Sequence, residues 1–199
     1  MFNKFSNRVN EIIVSCEALA RSLNHLYITP LHIAKVYLKN PSIEIKNILE
    51  KCNFEIKNAM IEIDLNLRKK PVISSSIDDI KIDKDTTNLL RNAISLANKN
   101  GDEFLTEEFL LLAMFESNSE ISKILTKFGL NMSSLESQIQ KYRKGKKAMS
   151  ATAETNFNTI EKFATNITER ALEGNLDPVI GRDDEIRRTI QVCQEELKI

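Results

Sequence analysis

The sequence predicts an all-α fold made of two four-helix repeats, on three observations. Glycine and proline are scarce, 5 and 4 of 199 residues, so little interrupts helix formation. Apolar residues recur every three or four positions through most of the chain, the period of a helix with one buried face. One motif also occurs twice, as Ile28-Thr29-Pro30-Leu31-His32-Ile33-Ala34 and as Leu105-Thr106-Glu107-Glu108-Phe109-Leu110-Leu111. In each, an apolar residue precedes a Thr and the Thr precedes a helix-length apolar stretch. An offset of 77 superposes Thr29 on Thr106, Leu19 on Leu96, Ala20 on Ala97 and Ile12-Ile13 on Leu89-Leu90. Dropping one residue, to 76, keeps Leu49 on Leu125, Phe54 on Leu130, Ala59 on Leu135 and Ile63 on Ile139. Apolar phase shared over this length points to one supersecondary unit used twice. Two unrelated helical hairpins are the alternative.

The first helix is expected over residues 7–23, with apolar positions at 9, 12, 13, 16, 19, 20 and 23. Residues 24–27 turn, and the second helix starts at Pro30 behind Thr29. A Thr hydroxyl can accept from a free first-turn N–H, and proline suits a position that needs no N–H. Asn40-Pro41 ends that helix near Lys39. Helices over 43–52 and 54–68 follow, the latter with Asn53 as its expected cap. Residues 69–82, with Pro71 and Ser74-Ser75-Ser76, connect the copies. The second copy reads as helices over 83–100, 106–116, 119–128 and 133–144. Gly101 and Gly129 close the first and third of these. Glu107 and Glu108 sit where the helix dipole favours anions, and Ser133 and Glu136 have capping-box spacing. Residues 145–156, rich in Lys, Ala, Ser and Thr, read as a flexible linker. A helix over 157–172, ended by Gly174, and one opening at Asp183-Asp184-Glu185 complete the chain. The domains expected are thus 1–144, with repeats at about 1–69 and 83–144, a linker 145–156, and a helical segment 157–199.

Composition narrows the function. The 28 basic and 28 acidic residues balance, so nothing global favours nucleic acid or a membrane surface. Cys16, Cys52 and Cys193 are dispersed with no CxxC, which suits reduced, mostly buried thiols in a cytoplasmic protein. No apolar run approaches a membrane span, and no secretory apolar region is seen. His25 and His32 have no Cys or acid in ligand spacing, so packed, hydrogen-bonded roles are expected and no metal. The basic run 141–147 ends a helix and lacks the interleaved aromatics that stack bases.

A resemblance enters at the C-terminal end. The stretch LDPVIGRDDEIRRTIQV at 176–192 resembles the start of the first AAA+ module of ClpB-type disaggregase chaperones. Residues 143–147, RKGKK, and the helix from Ile160-Glu161-Lys162-Phe163 to Thr168-Glu169-Arg170 resemble the same family's linker and first helix. The doubled four-helix unit resembles the Clp N-terminal domain, itself a tandem repeat. After Val192 the sequence departs from the family and reads Cys193-Gln194-Glu195-Glu196-Leu197-Lys198-Ile199. No GxxxxGK[ST] loop occurs, so no backbone cradle and Lys are there to hold phosphates.

The resemblance implies a substrate-interaction domain for unfolded or aggregated polypeptides, and no enzyme activity or bound cofactor in this chain. ATP is the cofactor of the full-length family, whose adenine contact falls on Val179, Ile180 and Gly181, expected here as a vestige. On the family's peptide groove, Ser6, Asp102 and Glu108 are the carried-over positions. Ordinary helix capping is an equal reading for all three. Full-length chaperone subunits are a further expected partner, and a monomer is the expected state. A working ATPase from a split or frameshifted gene, an adaptor, and an inert remnant remain open alternatives. The helices beyond 157 should lack an AAA+ core to pack on, leaving Phe157, Ile160, Phe163, Ile167, Ile186 and Ile190 short of partners.

Overall fold

A computed structural model describes residues 4–73, 79–117, 119–154, 167–172, 174 and 181–196. The chain divides into two units, 1–158 and 159–199.

The first unit holds the repeats. Helices α1 (Asn7–Ser22), α2 (Pro30–Lys39), α3 (Ile43–Lys51) and α4 (Ile56–Leu67) form one copy. Helices α5 (Lys84–Lys99), α6 (Glu107–Glu116), α7 (Glu120–Lys127) and α8 (Met132–Arg143) form the other. Helix starts at 7, 30, 43 and 56 answer to 84, 107, 120 and 132, an offset of 77 that becomes 76 at the fourth. The sequence pattern has one cause. At the offset of 76, which already holds along the third helices, buried Ile45, Ile48 and Leu49 correspond to buried Ile121, Ile124 and Leu125, so the two copies bury the same faces.

α2 and α6 are the centre of a single core. α2 buries Leu31, His32, Ile33, Ala34, Tyr37 and Leu38, and α6 buries every residue from Glu107 to Met114. A helix that is apolar nearly all round must be enclosed. α1 and α4 pack on α2, α5 and α7 pack on α6, and α3 meets α8 across the copies.

Two short pairings interlock the copies. Strand β1 (Tyr27–Ile28) pairs in parallel with β2 (Lys81–Ile82), Ile28 against Ile82. Leu105 bridges Phe5 in the same sense. By the offset, Leu105 is the counterpart of Ile28, and Ile82 that of Phe5. Each copy thus lends the segment before its first helix to the other. The loops after α3 and α7 also meet, Glu55 N–H donating to the Phe128 carbonyl at 3.1 Å. Unrelated hairpins would share neither contact.

Several local expectations are corrected. Asn53 does not cap α4; at φ 54° it turns the chain left-handed after α3. α8 begins at Met132, and Asn131, not Ser133, caps it by accepting from the Ser133 and Ser134 N–H groups at 3.0 and 3.4 Å. Residues 146–154, expected as flexible linker, lie hydrogen-bonded along the first unit. Glu103 N–H donates to Ala148 C=O at 3.0 Å, and Asn7 N–H to Ala151 C=O at 2.9 Å. Ala148 and Ala153 are buried against Phe104 and Tyr142.

Cys16 and Cys52 are buried, and burial pushes the Cys16 thiol up to about 12, which makes it inert at neutral pH. Cys193 carries no described side chain. In the second unit the described helices are α9 (Ile167–Leu172) and α10 (Asp183–Glu196). Ile167 is 66 % exposed, and Ile186 and Ile190 are exposed too. Phe157, Ile160 and Phe163 lie outside the described residues. Among the described residues no helix is long and apolar enough to cross a membrane.

Candidate functional site: a groove over an arginine-centred cluster

A groove of about 420 Å³ runs between α5, α6 and α8. Phe109, Leu112 and Ile139, all nearly buried, form its apolar floor, and half-buried Leu96 its apolar edge. Glu116, Glu136, Lys146 and Lys147 carry charges of both signs around it. Each apolar member follows from helical phase: Phe109 and Leu112 are one turn apart on α6, and Ile139 faces them from α8.

Arg143, the last residue of α8, lines the groove and organises what lies beneath. Its guanidinium stands 4.8 Å from the Phe109 ring centroid, in cation–π range. Nη1 donates to Glu108 Oε1 at 2.5 Å, and Nη2 donates to Asp102 Oδ1 at 2.6 Å. Nη2 also donates to the Lys146 carbonyl at 2.8 Å, and Asp102 Oδ1 takes the Ala148 N–H at 2.9 Å. One guanidinium thereby joins the groove's aromatic surface, two buried acids and the 146–154 strap. Planar fork geometry makes arginine suited to such multiple pairing.

The carried-over residues are therefore placed as follows. Glu108 is 1 % exposed, Asp102 3 % and Ser6 0 %, and none of the three lines the groove. Asp102 and Glu108 come together on Arg143. Ser6 caps α1, its hydroxyl accepting from Val9 N–H at 3.3 Å. Capping describes Ser6 but not the two acids. Val179 and Ile180 lie outside the described residues, while Gly181 is exposed at φ 74°. Phe109 falls in the repeated motif that the sequence singles out, while Arg143 and Glu154 escaped sequence reasoning as site residues.

Four carboxylates crowd two arginines here. Glu107 faces Arg8 at 3.6 Å, and Glu154 accepts from the Glu107 backbone N–H. Burial pushes the Glu108 carboxyl up, and Arg143 opposes that rise. Burial, then the nearby Glu108 charge, pushes Glu154 up to about 7. A carboxyl raised by folding favours the native state while protonated, so its contribution fades as pH climbs from about 4.5 to about 7. Glu154→Gln should then raise stability at pH 8 by up to about 3 kcal/mol and change little at pH 4. Urea titrations at the two pH values check this.

By the offset, His25 and His32 occupy in the first copy the places of Asp102 and Phe109. Thr29 N–H donates to His32 Nδ1 at 3.0 Å, the return half of a capping box with His at the third position. His32 Nε2 meets His25 Nδ1 at 2.9 Å. Burial, then the neighbouring His25, holds His32 down to about 4. A histidine kept neutral by folding costs stability as the unfolded chain protonates, from about pH 6.5 down to about 4. Imidazole NMR resonances should show His32 uncharged at pH 5. Among the described residues no group of three or more His, Cys, Asp or Glu could hold a metal.

Residues 4–128 match the family model of the Clp repeat (R) N-terminal domain. The chain belongs to that family. It is 38 % identical over 197 residues to the chaperone protein ClpB of Agrobacterium fabrum and 34 % over 196 residues to that of Pseudomonas putida. Those alignments take in 98 % of this chain but only 22 % and 23 % of the relatives, so the chain spans under a quarter of their length. The Hsp104 N-terminal domain from Candida albicans has the same fold, with TM-score 0.67 and 20 % identity over 76 % of this chain and 99 % of that one. A complex of the ClpV N-domain with VipB peptide matches at TM-score 0.55 and 16 % identity, over 70 % and 86 % of the two chains. The all-α tandem repeat is thus a Clp N-terminal fold.

Proposed function

We propose that this Clp repeat domain captures unfolded or aggregated polypeptide in the α5–α6–α8 groove, as the client-recognition part of a ClpB-type disaggregating chaperone. The carrying observation is a groove on a helical frame, floored by Phe109, Leu112 and Ile139, edged by half-buried Leu96 and flanked by charges of both signs. Unfolded chains expose apolar side chains and carry charges of both signs, so one such groove can serve many sequences. Support comes from the ClpB relatives and from the ClpV N-domain, a protein of this fold solved with a peptide. In this reading Asp102 and Glu108 do not touch the client; they hold Arg143, which holds Phe109. The chain contributes recognition and no chemistry, and ATP hydrolysis belongs to the parts of the relatives beyond this span. ATP added to the isolated chain should leave its amide spectrum unchanged.

Leu96 is only partly buried, so Leu96→Asp alters the groove without emptying the core. Fluorescence anisotropy with labelled, unfolded β-casein should show affinity lowered at least about tenfold, with stability within about 1 kcal/mol of wild type. Unchanged affinity in a folded variant would remove the groove from the reading.

A further inference from the structure

The first repeat carries a cavity of its own, about 270 Å³, whose lining includes His25, Tyr27, His32, Lys70, Pro71 and Ile73. Most of its wall is apolar, and its polar groups have a defined polarity. His32 Nδ1 receives the Thr29 N–H, so the His32 proton sits on Nε2 and is donated to His25 Nδ1. With Nδ1 accepting, neutral His25 must carry its own proton on Nε2. That Nε2–H has no hydrogen-bond partner in the structure, although His25 is only 4 % exposed and lines the cavity. His25 Nε2 is not a fully buried atom, so this donor is open to an acceptor that enters the cavity.

Lys70 stands in the same lining, held to Glu120 at 3.2 Å by a half-exposed pair of little strength. Lys70 thus brings a positive charge to the cavity that His25 and His32 line. Asp83, an acid in this lining, spends Oδ1 on the Thr86 N–H at 2.6 Å.

We propose that this cavity binds a compact aliphatic carboxylate, the size of one branched apolar residue. The body fills the apolar cavity, and the carboxylate accepts from His25 Nε2–H beside Lys70. The volume lies just below the usual range of small-molecule pockets, which suits a compact group. A peptide's C-terminal residue and a free short-chain acid share this chemistry, and separate probes distinguish them.

The chain has two histidines, so its imidazole N–H resonances report the site directly. The probes are N-acetyl-leucine, 4-methylpentanoate and N-acetyl-leucinamide, titrated into the full chain. At least one carboxylate should shift the His25 Nε2–H resonance, with the amide binding at least about tenfold more weakly. N-acetyl-leucine binding more tightly assigns the site to chain termini, and 4-methylpentanoate binding as tightly assigns it to free acids. Lys70→Gln should weaken the carboxylates and leave the amide unaffected. Leu96→Asp should leave this binding intact, which separates it from the groove. Amide binding equal to that of the carboxylates, or imidazole resonances unmoved at millimolar probe, overturns the proposal.

Discussion

Arg143→Met should lower the unfolding free energy by about 3–5 kcal/mol at pH 7, the usual cost of leaving a buried charge without its partner. Two carboxylates lose that partner at once, Asp102 at 2.6 Å and Glu108 at 2.5 Å. Asp102 Oδ2 already lacks a hydrogen-bond partner, so the cluster has no spare donor to offer in compensation. Protonating the orphaned acids relieves the penalty, so the loss should shrink toward pH 4. The triple variant Asp102→Asn, Glu108→Gln, Arg143→Met should recover most of the stability, because neutral groups then replace Arg143 and both acids paired with it. Urea unfolding of the three proteins checks both statements. Amide exchange at Ala148 should rise in Arg143→Met, since its N–H is held by Asp102 Oδ1.

The second large effect belongs to Gly129. At φ 99° it occupies a region closed to side chains, and a Cβ there would lie 2.9 Å from the Asn53 carbonyl oxygen. Gly129→Ala should therefore cost about 3 kcal/mol. The clash is with backbone of the opposite repeat, so no rotamer change relieves it. Asn53, its counterpart by the offset, has φ 54°, and Asn53→Gly should shift stability by less than about 1 kcal/mol. The contrast tests whether the copies meet where the repeat symmetry places them.

The fold was legible because both copies bury the same helical phases, and eight helices left their apolar stripes in the sequence. Boundaries were less so where polar residues compete: Asn131 and Ser133 both suit a cap, and only packing of α8 chooses between them. The strap at 146–154 was unreadable because its anchors are Ala148, Ala153 and backbone groups, which carry no periodic signal. The site was half legible. Resemblance pointed to Asp102 and Glu108, yet their meaning lies in Arg143. A signal for it did exist. The offsets set Asp102, Glu108 and Arg143 against His25, Leu31 and Leu67, so polar residues enter apolar or neutral places of one repeat together. Such a concerted change in one copy is what a buried ion cluster requires. The terminal stretch 176–192 bears the family's pattern, and its first five residues, 176–180, lie outside the described residues.

Backbone amide NMR of the full chain, titrated with unfolded β-casein, tests the central claim most directly. Shifts should concentrate at Leu96, at Phe109 through Glu116 and along α8 from Glu136 to Arg143, and Leu96→Asp should abolish them. Shifts confined to α1–α4, or casein binding that leaves the α5–α6–α8 groove unperturbed, would contradict it.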